Sequence, residues 1–469
     1  MSNLTGFVKR LRDIMRNDAG INGDAQRIEQ IAWMLFLKVY DAKEQDWEMD
    51  EDGYASIIPE GCRWSSWAHD AAGKGMTGDA LLRFVDGTLF PTLKGLPVDA
   101  STPARKAVVQ SVFADANNYM KDGVLLRQVV NVIDGLDLGD YEESHAFGEI
   151  YESMLKELQS AGSAGEYYTP RAVTDFMARM IKPRIGERMA DFACGTGGFI
   201  TSWLKELRKQ VRTTKDGEAY ARSIYGIEKK QFPYMLCVTN LLLHDLDVPM
   251  VYHGNSLLRD VLDYTDDDRF DVVLMNPPYG GSEKPEVKSH FPSDLASSET
   301  ADLFMSVIMF RLKKGGRAAV ILPDGFLFGT DNAKAAIKRK LFSEFNVHTV
   351  IRMPGSVFAP YTSITTNILF FDHTGATEGT WFYRLDMPDG YRHFSKTRPM
   401  RLEHFDPVIE WWDDRREISR DGFDKSRYYP VREIMERSYN IDLCGYPHEE
   451  EEILPPMDLI RHTRRGVPA

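Results

Sequence analysis

Leu4, Phe7, Val8, Leu11, Ile14 and Met15 recur at the three- and four-residue spacing of a single helix face. The segment DAQRIEQIAWMLFLKVYDAKEQDW repeats that period with a wide apolar face, and Asp24 is placed to cap it. PARKAVVQSVFADANNYM and DGVLLRQVVNVIDGLDL read as further helices. Residues 1–140 are therefore expected to form an all-α N-terminal domain whose apolar faces also suit a partner.

From about residue 145 the pattern changes. AFGEIYESMLKELQSAG reads as a helix, and SAGEYYTPR as a loop. Short apolar runs then alternate with amphipathic ones: RMADFA, SIYGIEK, MVYHGNS, FDVVLMN, RAAVILPDG, VHTVIRMP and TTNILFFDH as strands. GGFITSWLKELRKQ, FPYMLCVTNLLLHDL, TADLFMSVIMFRLKKGG (closed by its glycines) and NAKAAIKRKLFSEF lie between them as helices. Strands and helices alternating at this length predict an α/β domain over 141–425 with a doubly wound, mostly parallel sheet. Such sheets bind ligands beyond the carboxyl ends of their strands. Past residue 375 the pattern thins; WFYRLD offers one more strand, and 426–469 read as a C-terminal tail with a helix, suited to partner contact.

Composition narrows the class. The chain has 469 residues, 43% hydrophobic and 27% charged, which fits a globular protein of two or three domains. Charges interrupt the opening MSNLTGFVKRLRDIM, and Ile31–Leu37 is too short to span a bilayer, so a cytoplasmic chain with no membrane partner is expected. The four cysteines contain no CxxC pair, which indicates neither a metal site nor a disulfide framework. The net charge of −13 is unlike that of a protein gripping DNA alone.

Four stretches carry candidate chemistry. In DFACGTGGF, Asp191 to Phe199, a strand turns into a helix through Gly195, Gly197 and Gly198, which lets the backbone approach a ligand. The stretch is not a phosphate-binding P-loop, because no Gly-Lys-Ser/Thr follows. Glu228 ends the next strand, where a carboxylate can accept from both hydroxyls of a ribose. Asn255 closes the strand after that and either reads an adenine edge or caps a turn. Finally FDVVLMNPPY stops a buried strand on Asn276, Pro277, Pro278 and Tyr279. The Asn276 side-chain oxygen and the Pro277 carbonyl can together accept from one amino group, and Tyr279 offers a face for stacking a planar substrate.

DFACGTGGF, GIEK and NPPY, in this order and spacing, resemble an S-adenosylmethionine-dependent amino-methyltransferase. With GEYYTPR upstream and a helical domain before it, nearly the whole chain resembles the modification (M) subunit of type I restriction–modification systems. The resemblance implies a seven-stranded Rossmann-like methyltransferase sheet and adenine-N6 methylation of DNA. It implies that Glu166, Tyr167, Tyr168, Thr169, Pro170 and Arg171 wrap the methionine end of the cofactor. Asp191, Ala193, Gly195, Thr196, Gly197 and Gly198 then hold its amino-acid and sulfonium region, and Glu228 its ribose. Asn276, Pro277, Pro278 and Tyr279 match the catalytic tetrad, with Phe358 as a second base-stacking aromatic. Asn255 stands where related enzymes often carry aspartate, so only that contact departs from the pattern.

The implied partners are a specificity (S) subunit, a second M subunit, double-stranded DNA and, in complete systems, a restriction (R) subunit. Three other readings share parts of this pattern. Cytosine N4 methylation uses a tetrad that usually starts with Ser or Asp. Glutamine-methylating enzymes carry NPPY but are shorter and lack the upstream loop. A non-catalytic scaffold would have no need of an intact tetrad.

Overall fold

The computed structural model describes residues 4–70, 73–99, 102, 104–136, 168–359, 362–395, 397–420 and 422–446. The helix expected over AFGEIYESMLKELQSAG lies outside them, as do Glu166 and Tyr167.

The first helix, Leu4–Met15, follows its periodic apolar positions from end to end. The second, Gly23–Asp50, is the axis of the helical region. Its stretch from Ile28 to Asp41 is buried almost all round, which explains the width of its apolar face. Trp33 meets Phe90 edge-on at 5.1 Å, and Phe36 meets Phe113 at 6.0 Å. Two polar residues this helix buries are satisfied: Gln30 bonds Asn118 and the Tyr119 amide, and Glu44 accepts from Tyr54, Ser56 and the Ile57 amide. Asp24 is not its cap. Asn22 holds the N-cap position, and Asp24, one residue into the first turn, instead accepts from Arg27 at 2.7 Å and Arg12 at 3.2 Å. Two guanidinium partners outcompete the backbone for that carboxylate.

Asp122, by contrast, caps Gly123–Asp134 through the amides of Val124 (2.8 Å) and Leu125 (3.0 Å). Asp122→Ala is expected to destabilise the fold by about 1 kcal/mol. Urea unfolding should show this as a lower midpoint at an unchanged slope.

Among the described residues ten strands form a single sheet in the order β3-β2-β1-β4-β5-β7-β6-β8-β10-β9. They are β1 Met189–Asp191, β2 Ile224–Glu228, β3 Val251–His253, β4 Phe270–Met275, β5 Leu312–Pro323, β6 Asn346–Arg352, β7 Thr366–Asp372, β8 Gly379–Arg384, β9 Ile418–Arg420 and β10 Phe423–Pro430. The pairs β1–β2, β2–β3, β1–β4 and β4–β5 are parallel. β7 runs antiparallel between β5 and β6, because the chain from β6 to β7 returns without the helical crossover a parallel strand needs. The sheet thus has three strands more than the expected seven. β8 pairs parallel with β6, and the β9–β10 hairpin adds to β8 in antiparallel fashion. β10 crosses the boundary expected at 425/426: Ser426–Pro430 pair with Tyr383–Gly379, so these residues belong to the sheet.

The helix Thr300–Arg311 also ends earlier than its sequence indicates. Lys313–Gly316 already belong to β5, where Gly315 takes a positive φ of 75° and bonds to His373 beside β7. The glycines therefore shape a strand irregularity instead of closing a helix.

The helical region and the sheet domain share one continuous hydrophobic core. Gln231, at the start of helix Gln231–Leu242, donates to the carbonyls of Ser111 and Val112 at 2.6 Å each. Lys43 pairs with Asp245 at 3.1 Å. The helix that follows the ribose-binding candidate Glu228 is thus anchored to the N-terminal region. Among the described residues no helix is long and apolar enough to cross a membrane.

Candidate active site

Strand order reverses between β1 and β4, which are parallel neighbours with Met189 beside Val272 and Ala190 beside Val273. This is the switch point where an open α/β sheet leaves a crevice. The glycine loop follows β1 and the Asn-Pro-Pro-Tyr tetrad follows β4, so the two stretches come together for a topological reason.

After β1, Asp191 is 1% exposed and accepts from the Ala193 amide at 3.1 Å. The chain then turns through Gly195 (φ 53°) and Gly197 (φ 81°) into helix Gly198–Arg208. Besides its left-handed backbone, Gly197 has no room for a side chain: a β-carbon there would lie 2.8 Å from Cys237 Sγ. One on Gly198 would lie 2.6 Å from an Arg171 guanidinium nitrogen. Glu228, at the end of β2, braces the loop by accepting from the Gly195 amide at 2.9 Å, and its other oxygen accepts from the Lys230 amide at 2.7 Å. A carboxylate offers about four acceptor sites, so capacity remains for a ligand.

Burial pushes the Asp191 carboxyl well above the ordinary carboxylate range, and the negative charge of Glu228 adds to the shift. Burial raises Glu228 as well, partly offset by its backbone donors. Among the described residues neither carboxylate forms an ion pair with a basic side chain. Two buried acids, neither in an ion pair among the described residues, favour a positively charged ligand.

After β4, Asn276 is half-buried, Pro277 buried and Pro278 exposed. Asn276 Nδ2 donates to Thr169 Oγ1 at 3.2 Å, and the Tyr279 hydroxyl donates to Asn276 Oδ1. The loop beyond is pinned by the Thr300 amide on the Gly281 carbonyl at 3.1 Å.

One cavity of about 430 Å³ joins both ends, within the range of small-molecule sites. Of the residues singled out in the sequence, Tyr168, Thr169, Asp191, Ala193, Gly195, Thr196, Gly198, Glu228, Asn255, all four tetrad residues and Phe358 line it. Pro170, Arg171 and Gly197 stand behind the wall and shape it instead. Asn255 caps a turn, since its Oδ1 accepts from the Leu257 amide at 3.1 Å, while it also borders the cavity. The two alternatives for that residue are therefore compatible. Phe304, Thr300, Glu283, Lys229 and Ser256 line the cavity as well and were not singled out. The available signal for Phe304 and Thr300 was positional: they start the first long helix after the tetrad.

Comparison with known proteins identifies the family. The N-6 DNA Methylase family model matches residues 142–453, and the HsdM N-terminal domain model matches residues 4–133. The chain is 45% identical over 454 residues to the type I restriction enzyme EcoEI methylase subunit of Escherichia coli, covering 96% of this chain and 91% of that one. A modification subunit of a putative type I restriction enzyme from Vibrio vulnificus YJ016 superposes with a TM-score of 0.79 at 39% identity over 92% of both chains. A chain solved in work on complex assembly and conformational transition of the type I R-M system gives 0.84 at 32% identity, covering 99% of this chain and 95% of that one. With both of its regions matched and its length accounted for, the chain belongs to the N-6 DNA methylase family, among the methylase subunits of type I restriction enzymes.

Proposed function

We propose that this DNA methylase subunit transfers the methyl group of S-adenosylmethionine to N6 of a target adenine. The observation that carries the reading is the meeting of the glycine loop and the Asn-Pro-Pro-Tyr tetrad around one cavity, at the carboxyl ends of the neighbouring strands β1 and β4.

The residues fit the cofactor. Its ammonium and sulfonium charges suit the buried acids of the cavity, and its ribose diol suits the acceptor capacity left on Glu228. Bound there, S-adenosylmethionine supplies an electrophilic methyl carbon on a positively charged sulfur. Asp191 and the loop Ala193–Gly198 hold the amino-acid end, with Tyr168 to Arg171 beside it; Glu166 and Tyr167, assigned to the same end, lie outside the described residues.

The protein's part in the chemistry is positioning. A base must leave the helical stack before its amine is reachable. Tyr279 and Phe358 then hold its ring, and the Asn276 oxygen and Pro277 carbonyl accept from its amino group. An exocyclic amine is a poor nucleophile while its lone pair is delocalised into the ring. Two converging acceptors favour the tetrahedral nitrogen whose lone pair would form the C–N bond as the methyl–sulfur bond breaks and its electron pair stays on sulfur. The excess proton on nitrogen then passes to water, because neither neutral carbonyl oxygen is basic enough to keep it.

Sequence reading is assigned to an S subunit, consistent with the net charge of −13. Two M chains flank one S chain, the helical region 1–140 serves M–M and DNA contact, and the C-terminal segment serves partner contact. An R subunit joins where cleavage occurs. The test is to purify this chain alone and with an S subunit co-expressed with it, then to digest the treated DNA and identify modified nucleosides by mass spectrometry. The complex should yield N6-methyladenine at one recognition sequence, and the isolated chain should bind cofactor but methylate poorly. N4-methylcytosine as the product would overturn the adenine assignment, and efficient site-specific methylation by the single chain would overturn the division of labour.

A further inference from the structure

We infer that Thr169 is a positioning residue for the methyl-transfer step, tethering the amide of Asn276 across the cavity; this rests on the methyltransferase reading above. The two residues are 107 positions apart, and Asn276 Nδ2 donates to Thr169 Oγ1 at 3.2 Å. At the other end of the same amide the Tyr279 hydroxyl donates to Oδ1. An asparagine amide has two donors and two acceptor lone pairs, and its terminal torsion is broad. Held at both ends, it keeps one N–H and one oxygen lone pair free, and the plane of that lone pair is fixed.

When Tyr279 turns its ring to a base, its hydroxyl cannot be relied on to hold Oδ1. Thr169 is then the tether that keeps the oxygen toward the target amine. Its own mounting is rigid. Pro170 restricts the residue before it to extended backbone, and helix Arg171–Ile181 follows directly. That helix is locked into the core by Val173, Phe176 and Met177, all fully buried. The loop matched to the cofactor-binding stretch of the family thus also reaches the catalytic tetrad.

The test compares Thr169→Val, which keeps shape and removes the hydroxyl, with Thr169→Ser, which keeps the hydroxyl. Both are assayed in complex with the S subunit beside wild type and Asn276→Ala. Thr169→Val should lower kcat about tenfold or more, the scale of a misplaced catalytic group. Because Thr169 also lines the cofactor cavity, kcat is read at saturating S-adenosylmethionine, where it should stay low whatever the change in Kd, and Thr169→Ser should recover most of kcat. A valine variant with wild-type kcat overturns the inference. So does one whose rate falls only in step with lost cofactor affinity, since that makes Thr169 a cofactor wall. A wild-type complex without methylation would instead refute the functional reading itself, with Asn276→Ala marking the floor of the assay.

Discussion

Asn276→Ala is expected to lower the rate of methyl transfer by about 10² to 10³-fold, the scale seen when one group aimed at developing charge is removed. Cofactor affinity should be nearly unchanged. The separation follows from where Asn276 sits. It follows β4, whereas the carboxylates suited to the cofactor end β1 and β2, and its hydrogen bonds go to Thr169 and Tyr279. Truncation removes the oxygen that would accept from the target amine. It also leaves Thr169 and Tyr279 without a shared partner, at a stability cost of about 1 kcal/mol in this half-buried position. Calorimetric titration with S-adenosylmethionine and a single-turnover assay of N6-methyladenine would measure the two effects separately. Near-normal transfer would remove the tetrad from the chemistry. Loss of transfer in proportion to loss of cofactor binding would move Asn276 into the cofactor site.

The parts of this molecule that were legible in its sequence are those whose cause is local. β1 to β8 are apolar runs bounded by turn residues, and the first helices follow a period that is purely local. Gly195, Gly197, Glu228 and Asn276 were visible because strand ends in a doubly wound sheet are where ligands bind. The hairpin β9–β10 was not legible. Phe423–Pro430 buries only Ser426 and Tyr429, so its sequence shows no apolar run, and pairing with β8 decides its state. The early end of helix Thr300–Arg311 was hidden for a similar reason. Nothing in LKKGG distinguishes a helix end from the start of a strand until His373 supplies the bonds to Gly315 and Gly316.

Long-range contacts were the other blind spot. Asn22 rather than Asp24 begins the second helix because Arg12 and Arg27 compete for the carboxylate. The Thr169–Asn276 bond and the grip of Gln231 on Ser111 and Val112 join segments whose sequences do not refer to one another.

Asp191→Asn is expected to weaken S-adenosylmethionine binding by about 10- to 100-fold, the worth of a hydrogen bond to a charged group, while raising the thermal stability of the ligand-free protein. Burial and the nearby Glu228 raise the Asp191 pKa above its ordinary 3.8. The folded chain therefore holds that proton more tightly than the unfolded chain does. The associated stability is full below the unfolded pKa, is lost as pH rises through the raised folded value, and stays lost above it. Above its ordinary 3.8, buried Asp191 is thus a destabilising group, retained where a cationic ligand needs it. Asparagine keeps an oxygen for the Ala193 amide, which bonds Asp191 at 3.1 Å, and discards the charge. The variant should melt higher than wild type at pH 8, with the gap shrinking as pH falls toward 4. Glu228, shifted in the same direction, will keep part of the wild-type pH dependence in the variant. Cofactor affinity should show the mirror image, falling in wild type as acid protonates Asp191 and varying less in the variant. Scanning calorimetry and cofactor titration across this range would measure both. A variant that binds cofactor normally, or that melts lower than wild type at pH 8, would contradict the assignment of Asp191 as the buried counter-charge of the cofactor.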